Sequence, residues 1–483
     1  MSKVRRLLLF RKNIAVAAVG MVTIATIVLA IFWIVKNINQ IPQYGDTAEY
    51  LILSKTLQVD QYRGIFYPLI INMSERAAKG VGSSLSIMIY FVQMFFVLCS
   101  SYMLAKALLG KFPKAAFAAV LVAIMVLSNP LVAHFSLTVL TDSLAASFSV
   151  LFLASLILAL ADLDRRRLYI ALGCIFLLLA ALLRVDKVYW GASVVIIFIG
   201  VLVVRYRRAC IGSVAYTILF FGFAVACLSL INAKTTVFNE ARPPLDVRSM
   251  LFNRVVWPRM TESYEYYPDE VKQRVSRVDA SEFDSHNNYV FPFLIKHLKE
   301  EDGGQMVWSM TKTTFAHFPM QVVMRAGFDF TKYSLPNFAF PLEALNVLPE
   351  SVATDWTVSR MSMATPILSR AFLWLGTGVF FIAFVVLLVT WWRVRYENGP
   401  DSRFSELSRG SMVLLAGAIL ANSGLFALSF GMDAHIRYAL PSYTVIVVLV
   451  FSLWISRMYK FNLSSSELPR DEIHDHSVDF RVS

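Results

Sequence analysis

Long apolar runs separated by short polar connections make up most of this 483-residue chain. About 20 apolar residues are needed to cross the hydrocarbon core of a bilayer. Runs close to that length predict membrane-spanning helices at about 14–35, 85–108, 114–131, 142–161, 168–184, 187–204, 210–231, 371–392, 411–430 and 438–456. We therefore predict an all-α integral membrane protein with about ten transmembrane helices.

The polar segments divide the helical pattern into four parts. They are an N-terminal transmembrane module of about seven helices at 1–231, a large loop at 232–370, a C-terminal module of about three helices at 371–460, and a tail at 461–483. The first outer loop, 37–84, belongs to the N-terminal module. Because charges inside hydrocarbon are costly, the three charged residues in 184–187 predict a turn between two spans rather than one long helix.

The large loop is predicted to contain both helix and coil. Apolar residues between 306 and 328 recur every three to four positions, and Pro319 predicts a break in that helix. The apolar stripe fits a helix lying on the bilayer surface. It fits equally well a helix packed on its neighbours.

Positive charge is concentrated on alternate connections between the predicted spans, as in Arg165, Arg166 and Arg167. The positive-inside rule assigns those connections to the cytoplasm, so both termini are predicted to be cytoplasmic and the large loop extracytoplasmic. The same distribution accounts for the net charge of +12, and no nucleic-acid partner is predicted. Only 16% of the residues are charged, whereas soluble proteins have about a quarter. The four cysteines lie in or beside apolar segments and imply no disulfide framework.

The candidate chemistry lies in four polar clusters at the predicted outer ends of the spans. The first loop contains Asp46, Glu49, Asp60 and Arg63, the second Asn129, His134, Thr141 and Asp142, the third Arg184, Asp186 and Lys187, and the last Asp433, His435, Arg437 and Tyr438. If the bundle closes on itself, these clusters surround one cavity. A carboxylate there can remove a proton from a hydroxyl, and nearby cations can hold a phosphate leaving group.

Several of these residues also have a purely structural interpretation. Asp46 is a suitable helix N-cap, and so is Thr141 or Asp142. Arg437 and Tyr438 suit interfacial anchoring. His134 lacks companions at metal-binding spacing and is predicted to be a surface residue, and no metal is predicted.

Four short motifs in this order resemble the GT-C superfamily of polytopic glycosyltransferases, which includes protein O-mannosyltransferases and lipid A aminoarabinose transferases. The motifs are Asp46/Tyr50, Tyr67/Pro68, Thr141/Asp142 and Arg437/Tyr438/Pro441. The resemblance implies a GT-C-like bundle with Asp46 as catalytic base, Asp142 as a second acidic group and Arg437 as a donor-phosphate contact. Thr47 and the single Pro68 depart from the family pattern, so the acceptor stays unassigned.

Together these features predict an enzyme that moves a sugar from a polyprenyl-phosphate donor to a lipid, glycan or protein acceptor. The site would lie on the outer face of the cytoplasmic membrane, and no cofactor is predicted. Further predicted phosphate contacts are Arg63, Tyr438 and Lys187, and the predicted substrate-lining residues are Glu49, Tyr50, Tyr67 and His435. The alternatives are a transporter or flippase for a lipid-linked or anionic substrate, and a non-enzymatic membrane scaffold.

Overall fold

A computed structural model describes residues 3–41, 43, 46–58, 64–110, 114–232, 251–275, 302–334, 366–397, 405–429 and 436–466. These ranges are almost entirely helical and contain no strand. The principal helices are α1 Lys3–Asn37, α2 Asp46–Thr56, α3 Phe66–Val81, α4 Leu85–Leu109, α5 Ala115–Leu127, α6 Pro130–Ser136, α7 Asp142–Ala161, α8 Arg166–Leu183, α9 Asp186–Tyr206, α10 Ile211–Asn232, α11 Gly303–His317, α12 Pro319–Ser334, α13 Pro366–Glu397, α14 Ser405–Ser429 and α15 Leu440–Ser466. Short helical turns occupy Phe252–Val256, Trp257–Arg259, Met260–Ser263, Tyr264–Tyr266, Asp269–Arg274 and Ile436–Ala439.

Nine of the described helices are long and apolar enough to cross a membrane, and the bent pair α5 and α6 gives a tenth span if counted as one. The described part of the chain is therefore all-α, and its apolar helices indicate a multi-pass membrane protein. Each predicted span coincides with a helix or with this pair. The turn predicted at 184–187 is also confirmed, since α8 ends at Leu183 and α9 begins at Asp186.

The prediction of a single helix over 114–131 is wrong. Helix α5 stops at Leu127, and α6 leaves it at an angle of 76°. Pro130 has no N–H to continue the α5 hydrogen bonds, and the Asn129 side chain instead accepts the Leu131 N–H at 3.1 Å to begin a new helix. The bend carries α6 into the bundle, so His134 is 0% exposed and its predicted surface position is also wrong.

Helices α7 and α15 form the centre of the bundle. Nearly every described residue along both is buried, and α15 packs against α4, α5 and α7. Peripheral helices expose apolar side chains, such as Phe223 and Leu230 on α10, as expected of surfaces in contact with lipid. Residues at the start of α7 and just before α15 therefore meet at the middle of one end of the bundle.

The described part of the large loop forms a small helical unit beside that end. Met306, Val307 and Met310 of α11 pack against a cluster that includes Trp257 and Tyr267. Packing thus explains the first half of the apolar stripe, although the Phe315 side chain is exposed. The predicted break is confirmed, because α11 ends at His317 and α12 begins at Pro319. Helix α12 packs mainly on α14.

Substitution of Gly64 tests how closely the first loop packs on α8. A Cβ atom at Gly64 would overlap the backbone carbonyl group of Leu182. We expect Gly64→Ala to push the loop away from α8 and to destabilise the protein by about 1–3 kcal/mol, measured by unfolding in detergent. Gly80→Ala in α3 is the control, since no atom lies within 4 Å of its added Cβ. Equal stability of the two variants would contradict this contact.

Candidate functional site

An ion pair joins the first and last polar clusters across 391 positions of sequence. Arg437 Nη1 donates to Asp46 Oδ2 at 3.0 Å. Asp46 is the first residue of α2, and Arg437 lies in the turn that leads into the buried helix α15. The exposed fraction of the Asp46 side chain is 25%, so its carboxylate is paired yet still accessible from the surface.

A second set of ion pairs joins the second and third clusters. Arg184, in the turn between α8 and α9, donates to Asp142 Oδ1 at 2.5 Å and to Asp186 Oδ1 at 2.9 Å. Burial opposes the positive charge of Arg184, but the carboxylates of Asp186 and Asp142 outweigh it and raise the pKa of the guanidinium. Arg184 therefore remains charged and holds both carboxylates in place.

The ring of Tyr438 links the two sets of ion pairs. The guanidinium carbons of Arg184 and Arg437 lie 4.8 Å and 5.1 Å from its centroid, and Arg437 Nη2 donates to its hydroxyl at 3.2 Å. Cations over an aromatic face are attracted by its negative electrostatic potential. Phe426 stacks on the same ring at 4.9 Å, and Lys187 Nζ lies 5.0 Å from Phe426 and 2.8 Å from Asp186.

We call these six charged residues the charge network: Asp46, Asp142, Asp186, Arg184, Lys187 and Arg437. Three carboxylates face three cations, so their formal charges cancel. Asp142 and Lys187 are almost fully buried, with exposed side-chain fractions of 4% and 2%. Pairing is what allows such groups to lie out of water, and removing one partner leaves the other uncompensated.

Hydrogen bonds connect the first loop to the second beside this network. The hydroxyls of Tyr50 and Thr141 are 3.2 Å apart, and Thr47 donates to the carbonyl oxygen of Val139 at 3.0 Å. The interpretation of Thr141 as a capping side chain is wrong, because it makes no capping hydrogen bond. Gln43 accepts the Val139 N–H at 2.8 Å and adds a further connection.

Tyr67 is buried beside Tyr50. The two rings meet edge to face at a centroid distance of 5.0 Å. Burial raises the pKa of the Tyr67 phenol well above its ordinary value, and nearby Tyr50 and Asp142 raise it further. Its neutral hydroxyl is a hydrogen-bond donor, and it has no such partner among the described residues.

The structure brings seven of the ten predicted site residues into one region: Asp46, Tyr50, Tyr67, Asp142, Lys187, Arg437 and Tyr438. Glu49 is half-buried, one helical turn beyond Asp46. Arg63 and His435 lie outside the described residues, and so does Asp433. The described chain contains no group of three His, Cys, Asp or Glu side chains placed to hold a metal ion.

Sequence reasoning assigned no role to Arg184 and Asp186, although it recognised their cluster. Arg184 contacts two carboxylates and the Tyr438 ring, and it is therefore the central residue of the charge network. The position of Arg184 between two apolar runs could have indicated this role, because a charge there requires a partner.

Sequence reasoning also missed Gln93. Its amide donates to the carbonyl oxygens of Ser136 and Thr138, which supports the second loop from within α4.

Comparison with known proteins found no matching family model, no matching curated protein and no matching solved structure.

Proposed function

We propose that the protein is a membrane glycosyltransferase of the GT-C type that transfers a sugar from a polyprenyl phosphate to an acceptor hydroxyl. The observation that carries this proposal is the charge network. It draws acids and cations from four segments that are distant in sequence to one end of a transmembrane bundle. Group transfer from a lipid phosphate needs that combination of a proton acceptor and a phosphate-binding cation.

In the proposed reaction, Asp46 takes the proton from the acceptor hydroxyl as its oxygen attacks the anomeric carbon of the sugar. The bond between that carbon and the donor phosphate oxygen breaks, and its electron pair leaves with the lipid phosphate. Arg437 and Lys187 stabilise the negative charge that collects on the phosphate. Asp142 acts as a second acidic group, held in position by Arg184.

The ion pair between Asp46 and Arg437 gives donor binding a second consequence. A phosphate with several oxygens competes for the Arg437 guanidinium, which binds such groups through two parallel hydrogen bonds. When the phosphate displaces Asp46, the carboxylate becomes free to accept a proton. Binding of the donor then prepares the base for the reaction.

The proposed site faces outward, and the donor reaches it between helices. The charge pattern favours cytoplasmic termini and an outward-facing site in the cytoplasmic membrane. The polyprenyl chain would lie between helices while its phosphate meets Arg437, Tyr438 and Lys187. A lipid phosphate carries less charge than a nucleotide diphosphate, so the proposed reaction uses no metal and no other cofactor.

Incubation of the purified protein with radiolabelled polyprenyl-phosphate sugars tests the proposal. A transferase consumes the donor and labels an acceptor from a membrane extract, whereas a transporter or flippase moves the donor across a vesicle without consuming it. The charged residues of the nine candidate spans lie near their ends rather than at mid-membrane, where coupling sites of transporters are usually found. Unchanged donor with every sugar tried would overturn the proposal.

Tyr438→Phe separates the two contributions of Tyr438. The variant keeps the ring beneath Arg184 and Arg437 but loses the hydroxyl that accepts from Arg437 Nη2. We expect KM for the donor to rise about fivefold with little change in kcat, as for one lost hydrogen bond of about 1 kcal/mol. Tyr443→Phe, which loses a hydroxyl bonded to Asn129 deeper in α15, is the matched control with an unchanged KM. An equal rise in both variants would mean that the Tyr438 hydroxyl has no special role.

A further inference from the structure

A second cluster of cations lies at the opposite end of the bundle from the charge network. Helix α8 runs from Arg166 to Leu183, next to Arg184, so its two ends are about 27 Å apart. We propose that Arg166, Arg167 and Arg205, together with Tyr206 and Tyr216, form a binding site for the phosphate headgroup of an acidic phospholipid. We call it the α8–α9 arginine site.

Arg166 is the buried anchor of this site. Only 6% of the residue is exposed. Its Nε donates to the carbonyl oxygen of Ala159 at 3.0 Å, its Nη1 donates to Ser213 at 3.4 Å, and its guanidinium lies 4.2 Å from the centroid of Tyr206. Its Nη2 is buried and has no hydrogen-bond partner in the described chain. A buried donor of this kind favours an acceptor of negative charge.

Two exposed arginines are held beside this anchor by aromatic rings. Arg205 lies over the same Tyr206 ring at 5.3 Å, and Arg167 lies over Tyr216 at 5.0 Å. Tyr206 is itself fixed, because its hydroxyl donates to the carbonyl oxygen of Leu160 at 2.9 Å. The positive-inside rule requires only a count of charges. Burial and stacking hold guanidinium groups in defined positions, which a topological signal does not require.

The charge around the site is unbalanced. Besides these three arginines, Arg165 and Arg207 lie at the same end, whereas the acids of the described segments there include Asp162 and Asp164 before α8 and Glu406 at the start of α14. One oxygen of Asp162 already accepts two backbone N–H groups, those of Asp164 and Arg165. An anion is therefore favoured here, and guanidinium groups match the paired oxygens of a phosphate.

The surrounding apolar surface indicates that this phosphate belongs to a lipid. Leu168, Val204 and Ile211, at the ends of α8, α9 and α10, are exposed by 55%, 82% and 69%. Apolar side chains below a cluster of cations, at the end of transmembrane helices, match the junction of acyl chains and headgroups. A free phosphate would gain nothing from this apolar surface.

The full-length protein in detergent, titrated with phosphatidylglycerol or phosphatidylcholine and analysed by native mass spectrometry, tests the site. We expect phosphatidylglycerol to bind at least tenfold more tightly than phosphatidylcholine, and the double variant Arg167→Gln/Arg205→Gln to lose that preference. Arg166→Lys keeps the charge but loses the stacked planar group, and we expect it to weaken binding severalfold. Lys106→Gln, an exposed cation near the same end of α4, is the control with less than a twofold change.

Two outcomes would overturn the proposal. The first is an equal preference in the wild type, the double variant and Lys106→Gln, which would mean that diffuse charge alone attracts the lipid. The second is complete displacement of phosphatidylglycerol by millimolar inorganic phosphate, which would mean that the site binds free phosphate. Thermal unfolding of each variant identifies any loss of folding. The measurement involves no sugar transfer, so its result is independent of the proposed reaction.

Discussion

Replacement of Asp46 by asparagine is expected to lower sugar transfer by about 100-fold or more, because the amide cannot accept the proton of the acceptor hydroxyl. The carboxylate is partly exposed and lies 3.0 Å from Arg437. Asparagine has nearly the same shape as aspartate, so the substitution removes the charge with little change in packing. Transfer of labelled sugar in proteoliposomes measures the effect at equal amounts of folded protein. Near-normal transfer would exclude Asp46 as the base.

The same variant is expected to bind a polyprenyl phosphate without sugar about five to ten times more tightly than the wild type. Asp46 competes with phosphate for Arg437, and asparagine removes that competitor while leaving the cation in place. Isothermal titration in detergent measures this affinity. Glu75→Gln is the matched control, since it makes the same chemical change at an exposed pair with Lys79 outside the site. Equal or weaker binding by Asp46→Asn would contradict the competition, whatever the effect on transfer.

Arg184→Gln is expected to be the most destabilising single substitution in the charge network, at about 3–5 kcal/mol. The change leaves Asp142 and Asp186 without their shared cation at the buried end of α7. Unfolding by denaturant in detergent measures the loss. A surface control, Lys79→Gln, removes the exposed partner of the partly exposed Glu75 carboxylate and should leave the transition unchanged.

A double-variant cycle identifies the cause of that loss. Adding Asp142→Asn to Arg184→Gln removes one uncompensated carboxylate, so the double variant should be more stable than the sum of the two single losses predicts. Simple additivity would mean that Arg184 stabilises the protein through packing rather than through charge. If Arg184→Gln lowers the free energy of unfolding by less than about 1 kcal/mol, Arg184 is not the central residue of the charge network.

Much of the fold follows from local properties of the sequence. A run of apolar residues near the length of a bilayer core forms a helix in any arrangement of its neighbours, because its backbone must satisfy its own hydrogen bonds. The helix predicted at 85–108 is accordingly Leu85–Leu109 in the structure. The turn at 184–187 could also be predicted, since its charges cannot remain in hydrocarbon. The polar clusters that supply the site were visible for the same reason.

The partners within the site could not be predicted from the sequence. Lipid and neighbouring helices are equally apolar, so hydropathy does not reveal which helices pack together. Only tertiary packing pairs Asp46 with Arg437 and aligns Arg184 with the ring of Tyr438. Packing also buries His134 in α6 after the chain bends at Asn129.

Apart from the bend between α5 and α6, the sequence alone therefore determined the membrane-spanning helices and the polar residues at their ends, because both follow from local hydropathy and the cost of burying charge. Tertiary structure decided which of those polar residues meet. It placed α7 and α15 at the centre of the bundle, so that Asp142 and Arg437 enter the same network. Those contacts depend on how whole helices fit together, which no short stretch of the sequence specifies.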